Sequence, residues 1–436
     1  MFKTTCIVLF VFLMNCQSQN NKKNIEYSKI ELEEDFNQMI DELENHPQIN
    51  TFISESDWKF LVNTQKTKLA DGLSIENFYR ICLPIVAKIG CGHTNLYNVD
   101  YNASTKKSLV YLPYRFVIED NQLYVIENLS ENKVIPLGAS IESINGEPIQ
   151  DILTFILASM PADGYNISYR KRMASKGFTY YYHSLFGIND FNELSYKFGD
   201  TIKTLDFKCS KLIANKSFSK TADESLNFEI DEELNTGILT IKTFSFYDNV
   251  LRFHKFIDSS FAVLKKKNLK NLVIDLRGNQ GGDPYCSSYL LRAISNEPIQ
   301  YYRDDIDYPE LLKSQDGLGF KLQNKPYILI DGFGFSSTGH FSALIKEHDL
   351  GIFVGEELGS TYSCNGGQEN TILKNTGLFL QVGQKVVDVM VNPNNFDKSK
   401  GIMPDVTVKT NIQSRIENRD IYMEKVFELI KNRKNR

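Results

Sequence analysis

Tryptophan occurs once in 436 residues and cysteine only seven times, so a disulfide-rich scaffold is excluded at the outset. Setting Cys6 and Cys16 aside leaves Cys82, Cys91, Cys209, Cys286 and Cys364, an odd number with no short paired spacings. That pattern speaks against a zinc site, and nothing in the chain calls for a metal or an organic cofactor. Positive charge is in deficit, 49 Lys and Arg against 54 Asp and Glu, which leaves no broad basic field for nucleic acid. The local exception, Lys431, Arg433, Lys434 and Arg436, reads as a frayed, solvated tail. Long apolar runs are also scarce: residues 7–14 (IVLFVFLM) are too short to span a bilayer, and nothing else comes closer. What remains, 42% hydrophobic and 24% charged residues, describes a globular chain of about two or three domains.

The first residues read as a targeting segment. Lys3 precedes the apolar run, and Asn15, Cys16 and a polar stretch (QSQNNKKN) follow it. Leu13-Met14-Asn15-Cys16 resembles a bacterial lipoprotein processing box, although Asn15 is bulkier than the small residue usual before the cysteine. The expectation is a signal peptide over 1–15, a lipid anchor on Cys16 and a tether over 16–30. The protein would then be an exported lipoprotein of the bacterial cell envelope, on the periplasmic face or the cell surface. An ordinary signal peptide cut a few residues later is the plainer alternative.

Beyond the tether the hydrophobic period changes twice. Leu32, Phe36, Met39, Ile40 and Leu43 recur at helical steps, predicting a helical cap over 31–98. It ends where Gly90 and Gly92 break the pattern and bring His93 onto a loop. Residues 109–126 then alternate as short strands about an Asp120-Asn121 turn. The string LGASIESINGEPI over 137–149 resembles part of a PDZ domain, giving a PDZ-like module over 99–210 with an aromatic-rich insertion at 160–200. A polar linker over 211–225 leads to alternating strands (238–244, 272–276, 327–330, 352–354) and helices (250–264, 287–294, 338–346). That order predicts an α/β domain over 226–430 with a mainly parallel sheet.

Two strand-to-loop transitions in this last domain could carry chemistry. After the apolar strand 272–276, Arg277-Gly278-Asn279-Gln280-Gly281-Gly282 forms a glycine-rich loop whose backbone N–H groups can face a ligand. It lacks the lysine and spacing of a nucleotide loop, so donors aimed at an oxyanion are the better use. After strand 327–330, Asp331-Gly332-Phe333-Gly334-Phe335-Ser336-Ser337 places Ser336 at a helix start. There the dipole favours an alkoxide and the Ser337 N–H points where an oxyanion would form. Ser336 could equally be a plain helix cap.

Together these strings resemble the C-terminal-processing, or tail-specific, serine peptidases, in particular their tricorn-core-like and retinoid-binding-protein-like branch. The family patterns D-L-R-x-N-x-G-G, F-S-x-x-E-x-F, G-E and G-x-x-P-D-V find counterparts at 275–282, 335–341, 355–359 and 401–406. The resemblance covers roughly residues 90–410. It implies a crotonase/ClpP-like α/β core (multi-domain α+β) behind a helical cap and a PDZ-like module. It also implies an exported serine peptidase acting on peptide or unfolded-protein substrates through an acyl-enzyme. A non-catalytic binding protein of the same fold is the alternative.

Departures from the family bear on mechanism. Where a Ser-Lys peptidase carries lysine in G-E-x-x-x-G-K, this chain has Ser360 and Thr361, and no lysine lies between Lys346 and Lys374. The motif glutamate three places after the nucleophile is Gly339. The tricorn-like branch takes its base from a G-H motif in the cap, matched here by Gly92-His93. The resemblance thus implies Ser336 as nucleophile, His93 as base, and backbone N–H groups of Ser337 and Gly281 or Gly282 as the oxyanion site. An imidazole of ordinary pKa implies a rate that falls below about pH 6 to 7. His340, one turn after Ser336, competes for the role but would crowd substrate entry, whereas His46, His183, His254 and His348 read as surface or packing residues. Glu356, Asp397 and Asp405 are candidates for the acid that orients the base, alongside Glu357, and the residues do not decide among them.

Overall fold

The computed structural model describes residues 26–98, 110–187, 191–211, 225–304 and 307–434. The signal segment and Cys16 lie outside the described residues. Among those described, no helix is long and apolar enough to cross a membrane, and no His, Cys, Asp and Glu cluster could hold a metal ion.

The cap consists of helices Lys29–Glu44, Glu55–Lys66 and Ile75–Lys88. Ser28 and Glu31 start the first with a reciprocal capping box, satisfying amides that a helix start leaves open. Its periodic residues Leu32, Phe36, Met39, Ile40 and Leu43 are all buried. Next comes an antiparallel sheet ordered Thr201–Lys208, Phe191–Phe198, Ser140–Ile144, Gln122–Asn128, Tyr114–Glu119, with Glu147–Pro148 paired to Ser140–Ile144. Asp120 and Asn121 both take positive φ, as a tight hairpin turn demands, and so do Asn145 and Gly146. Much of the expected insertion is a helix, Ile167–Phe186, kinked at Gly177 and packed on strand Tyr114–Glu119. Cap and sheet share one continuous apolar core.

The C-terminal half holds a six-stranded sheet ordered Leu226–Asp231, Thr236–Ile241, Asn271–Asp275, Tyr327–Ile330, Ile352–Gly355, Val406–Thr407. Only the first pair is antiparallel. Central strands are buried on both faces, which is why residues 272–274 (LVI) and 327–330 (YILI) read as apolar runs without alternation. Leu272, Ile274, Ile328 and Ile330 pack on one face with side chains from helices Val250–Lys266, Pro284–Ile294 and Ser337–Glu347. Val273, Tyr327 and Leu329 face helix Ile421–Lys434 through Tyr422, Val426 and Ile430. This mixed α/β arrangement is the one expected from sequence. The start of the basic C-terminal run is not a frayed tail: Lys431 and Arg433 lie on that covering helix, and the Arg433 guanidinium sits 5.3 Å from the Tyr327 ring centre, while Arg436 lies outside the described residues. The helix is held because every third or fourth residue is apolar and meets the sheet.

The two halves are tied by a hairpin from the second that returns to the first. Strand Phe379–Val382 pairs with Glu369–Ile372 on one side and with cap strand Asn95–Tyr97 on the other. At the hairpin turn the fully buried Asp35 carboxylate accepts from the amides of Asn375 and Thr376 (2.8 and 2.7 Å) and from Thr376 Oγ1 (2.6 Å).

Candidate active site

Ser336 sits between strand Tyr327–Ile330 and helix Ser337–Glu347 with φ 55° and ψ −124°, a conformation unfavourable for a residue with a side chain. Neighbouring contacts fix it there. Phe335 N–H donates to the Asn279 carbonyl (3.2 Å), and Thr338 Oγ1 to Asn279 Oδ1 (2.9 Å). Asn279 is fully buried; its Oδ1 also accepts from Gly281 N–H (2.9 Å) and its Nδ2 donates to the Ile241 carbonyl (3.2 Å). One carboxamide thus locks the glycine loop to the start of the serine helix. Gly281 takes φ +90° and lies against Ser336 so closely that a Cβ would stand 2.6 Å from the Phe335 carbonyl and 2.9 Å from Ser336 Cβ. Ser337 Oγ donates to the Gly282 carbonyl at 2.6 Å.

The loop over 90–94 brings His93 to the same place. Gly90 takes φ +71° and packs on the Phe52 ring, Gly92 N–H donates to Asp163 Oδ1 (3.0 Å), and Thr94 Oγ1 accepts from Gly383 N–H (3.1 Å). The half-buried His93 ring stacks on Phe335 at 4.6 Å, and Phe335 stacks on Tyr169 at 4.9 Å. His93 Nδ1 is buried without a hydrogen-bond partner. Burial, helped by the nearby His340, lowers the His93 pKa to about 4, so the ring is neutral at pH 7. The ordinary imidazole pKa assumed from sequence does not hold here, because sequence offered no measure of how much protein surrounds the ring.

His340 is buried on the serine helix. Its Nε2 lies 3.3 Å from Cys364 Sγ, Tyr302 meets it edge-on, and its own pKa is lowered to about 4 by burial. The Cys364 thiol is also within hydrogen-bonding reach of Ser336. Burial raises that thiol well above its usual range, so it is a neutral partner of the serine and not a thiolate nucleophile.

None of the four acids named as orienting candidates has a histidine partner among the described residues; Glu357 accepts from Ser168 Oγ (2.6 Å) and Gly401 N–H (3.0 Å). Glu356 is held by Arg172 and the Gly332 amide, bridging the two halves. Asp397 accepts from Ser399 and pairs with Lys400 at the surface. Asp405 accepts from Lys346 and the Phe353 amide. The acids that do approach the site were not legible in sequence. Asp163 accepts from Gly92 N–H and from Ser360 Oγ (2.6 Å), and burial pushes it up to about 6. Asp388 acts on both His340 and Cys364 by its charge. Asn365, next to Cys364, is buried with both carboxamide atoms unpaired. These residues stand in segments without motif character, so no sequence signal marked them.

Packing accounts for the glycine at 339. A Cβ on Gly339 would lie 2.6 Å from the Thr361 carbonyl and 2.9 Å from Ser360 Cβ. Segment 360–361 occupies the space a side chain at 339 would need.

Residues 235–408 match the model of peptidase family S41, in line with the resemblance of the motifs to the C-terminal-processing serine peptidases. A nisin-resistance protein of Lactococcus lactis subsp. lactis is 27% identical over 202 residues, 42% of this chain and 60% of that protein. The chain therefore spans about 60% of the curated relative it matches. Among solved structures, mature CPAF is similar at TM-score 0.63 and 14% identity, over 92% of this chain and 98% of that one. Mature CPAF complexed with lactacystin gives 0.62 at the same identity, over 92% and 100%. At such identity the likeness is one of fold.

Proposed function

We propose that the protein is an exported serine peptidase that cleaves peptide bonds through an acyl-enzyme on Ser336. The observation that carries this reading is the left-handed Ser336 backbone at a helix start, pressed against Gly281. A strained turn that exposes a serine above a sheet is how hydrolases present a nucleophile. In this reading neutral His93 takes the hydroxyl proton as Ser336 Oγ bonds to the substrate carbonyl carbon. The oxyanion is met by the amides of Ser337 and Gly282, since Gly281 N–H is already given to Asn279. Collapse of the adduct breaks the C–N bond, and protonated His93 returns the proton to the departing amine. Water, activated by the same imidazole, then hydrolyses the acyl-enzyme. Fluorophosphonate labelling tests the reading: the wild-type protein should be labelled at Ser336, and Ser336→Ala and His93→Ala should both lose labelling and turnover. A folded wild type that resists labelling would make the chain a non-catalytic relative.

Cys16 is proposed as a lipid anchor on the strength of Met14-Asn15-Cys16 and the polar tether behind it. Labelled palmitate should enter the wild-type protein and not Cys16→Ser; equal absence from both would remove the anchor.

A further inference from the structure

A cavity of about 270 Å³ opens beside His93, between the cap and helix Ile167–Phe186. We infer that it is a specificity subsite that takes an aromatic side chain with a polar edge, tyrosine above all, from the substrate residue flanking the scissile bond. The inference rests on the peptidase reading above and adds the chemistry of its substrate.

Four observations point to that occupant. Size is the first: pockets for drug-sized ligands begin at roughly 300 Å³, so this one suits a single large side chain. Charge is the second, because no Asp, Glu, Lys or Arg lines the cavity, which disfavours a charged side chain left without a counter-ion. The third is wall chemistry. Tyr97, Tyr169, Tyr180 and Tyr181 supply aromatic rings to the lining, Leu83 and Ile156 supply aliphatic contact, and an aromatic side chain packs well against such a wall. The fourth is Ser159, a lining residue only 3% exposed whose hydroxyl has no hydrogen-bond partner. A buried hydroxyl without a partner is costly, and a phenol can satisfy it as donor or acceptor.

Position ties the cavity to the reacting bond. His93 and Tyr169 belong to its lining, and those two rings sandwich Phe335, the residue before the nucleophile. Met173, also in the lining, receives the Gln280 side chain from the glycine loop at 3.3 Å. Ser336, Ser337, Gly281 and Gly282 are not lining residues, so the occupant neighbours the attacked carbonyl from the side of the base.

The test uses full-length protein and peptides differing only at the residues flanking the cleaved bond, with Tyr, Phe, Ala or Lys at each place. At one of those places kcat/KM should follow Tyr, then Phe, then Ala, with at least a tenfold gap between Tyr and Ala and Lys lowest. In Ser159→Ala the Tyr-over-Phe ratio should collapse towards one. In Ser184→Met, where a flexible side chain enters the cavity, the Tyr-over-Ala ratio should fall as well. A flat series at both places, or a preference for Lys, overturns the subsite while Ser336 labelling leaves the peptidase reading standing. If labelling fails instead, N-acetyl-tyrosinamide binding read by ligand-observed NMR decides the subsite by itself. Binding lost in Ser184→Met supports it, and no binding to the folded wild type overturns it. Matching melting curves establish that both variants are folded.

Discussion

Asn279 and Thr338 are joined by a 2.9 Å hydrogen bond between buried side chains, and through it the glycine loop and the serine helix hold one register. Replacing Asn279 by Ala strips partners from Thr338 Oγ1, Gly281 N–H and the Ile241 carbonyl. Unsatisfied buried groups cost about 1–3 kcal/mol each, so the variant should melt several degrees lower. Fluorophosphonate labelling of Ser336 should slow by at least tenfold in the fraction that stays folded. Calorimetry and a labelling time course check both parts.

Two glycines of the same loop should respond differently to alanine. Gly278 takes φ +80° with open space where a Cβ would stand, so Gly278→Ala carries only the left-handed backbone cost of about 1–2 kcal/mol. Gly281→Ala would drive a methyl into the Phe335 carbonyl and Ser336 Cβ. Labelling should survive in the first and vanish in the second; equal behaviour would show that Gly281 does not shape the nucleophile.

The pH dependence follows from the half-buried imidazole of His93. A base must be unprotonated to act, and lowering its pKa from 6.5 to about 4 extends activity toward acid. The kcat/KM profile should therefore hold through pH 6 and fall near pH 4. Asp163, pushed up to about 6, titrates within that span, and any shallow step there should disappear in Asp163→Asn. A single inflection at pH 6.5 that survives in Asp163→Asn would mean an ordinary, solvated imidazole.

Asp35 holds the returning hairpin. In Asp35→Ala the amides of Asn375 and Thr376 lose their acceptor. Stability should drop by about 2 kcal/mol or more on urea titration, with amide exchange rising first over 369–382. Uniform exchange across the chain would show that the clasp is not a local unit.

Much of the core was legible. Residues 272–274 and 327–330 are apolar without alternation because both sheet faces are covered, and glycines marked the two loops at the site. Histidine on the cap loop stood out because Gly90 and Gly92 interrupt a helical period. What stayed hidden is tertiary. Helix Ile167–Phe186 carries so many tyrosines, with Gly177 in its middle, that its period is blurred, yet it supplies Tyr169 and Arg172 to the centre of the molecule. Asp163 and Cys364 acquire meaning only from the segments folded against them. Glu356 sits in a recognisable motif, but its partner Arg172 lies in the other half of the chain, so a structural role could not be told from a chemical one.

The returning hairpin has a consequence for how such a protein is made. Strand Asn95–Tyr97, which starts two residues after His93, has its strand partner among the described residues in Phe379–Val382, near the end of the chain. During synthesis the cap emerges first, and the partner strand long after. Ser336 is itself made before that strand, so a chain arrested between them carries both residues without the ladder that fixes their spacing. Whatever depends on the spacing of His93 and Ser336 is in this way deferred until strand Phe379–Val382 has been made.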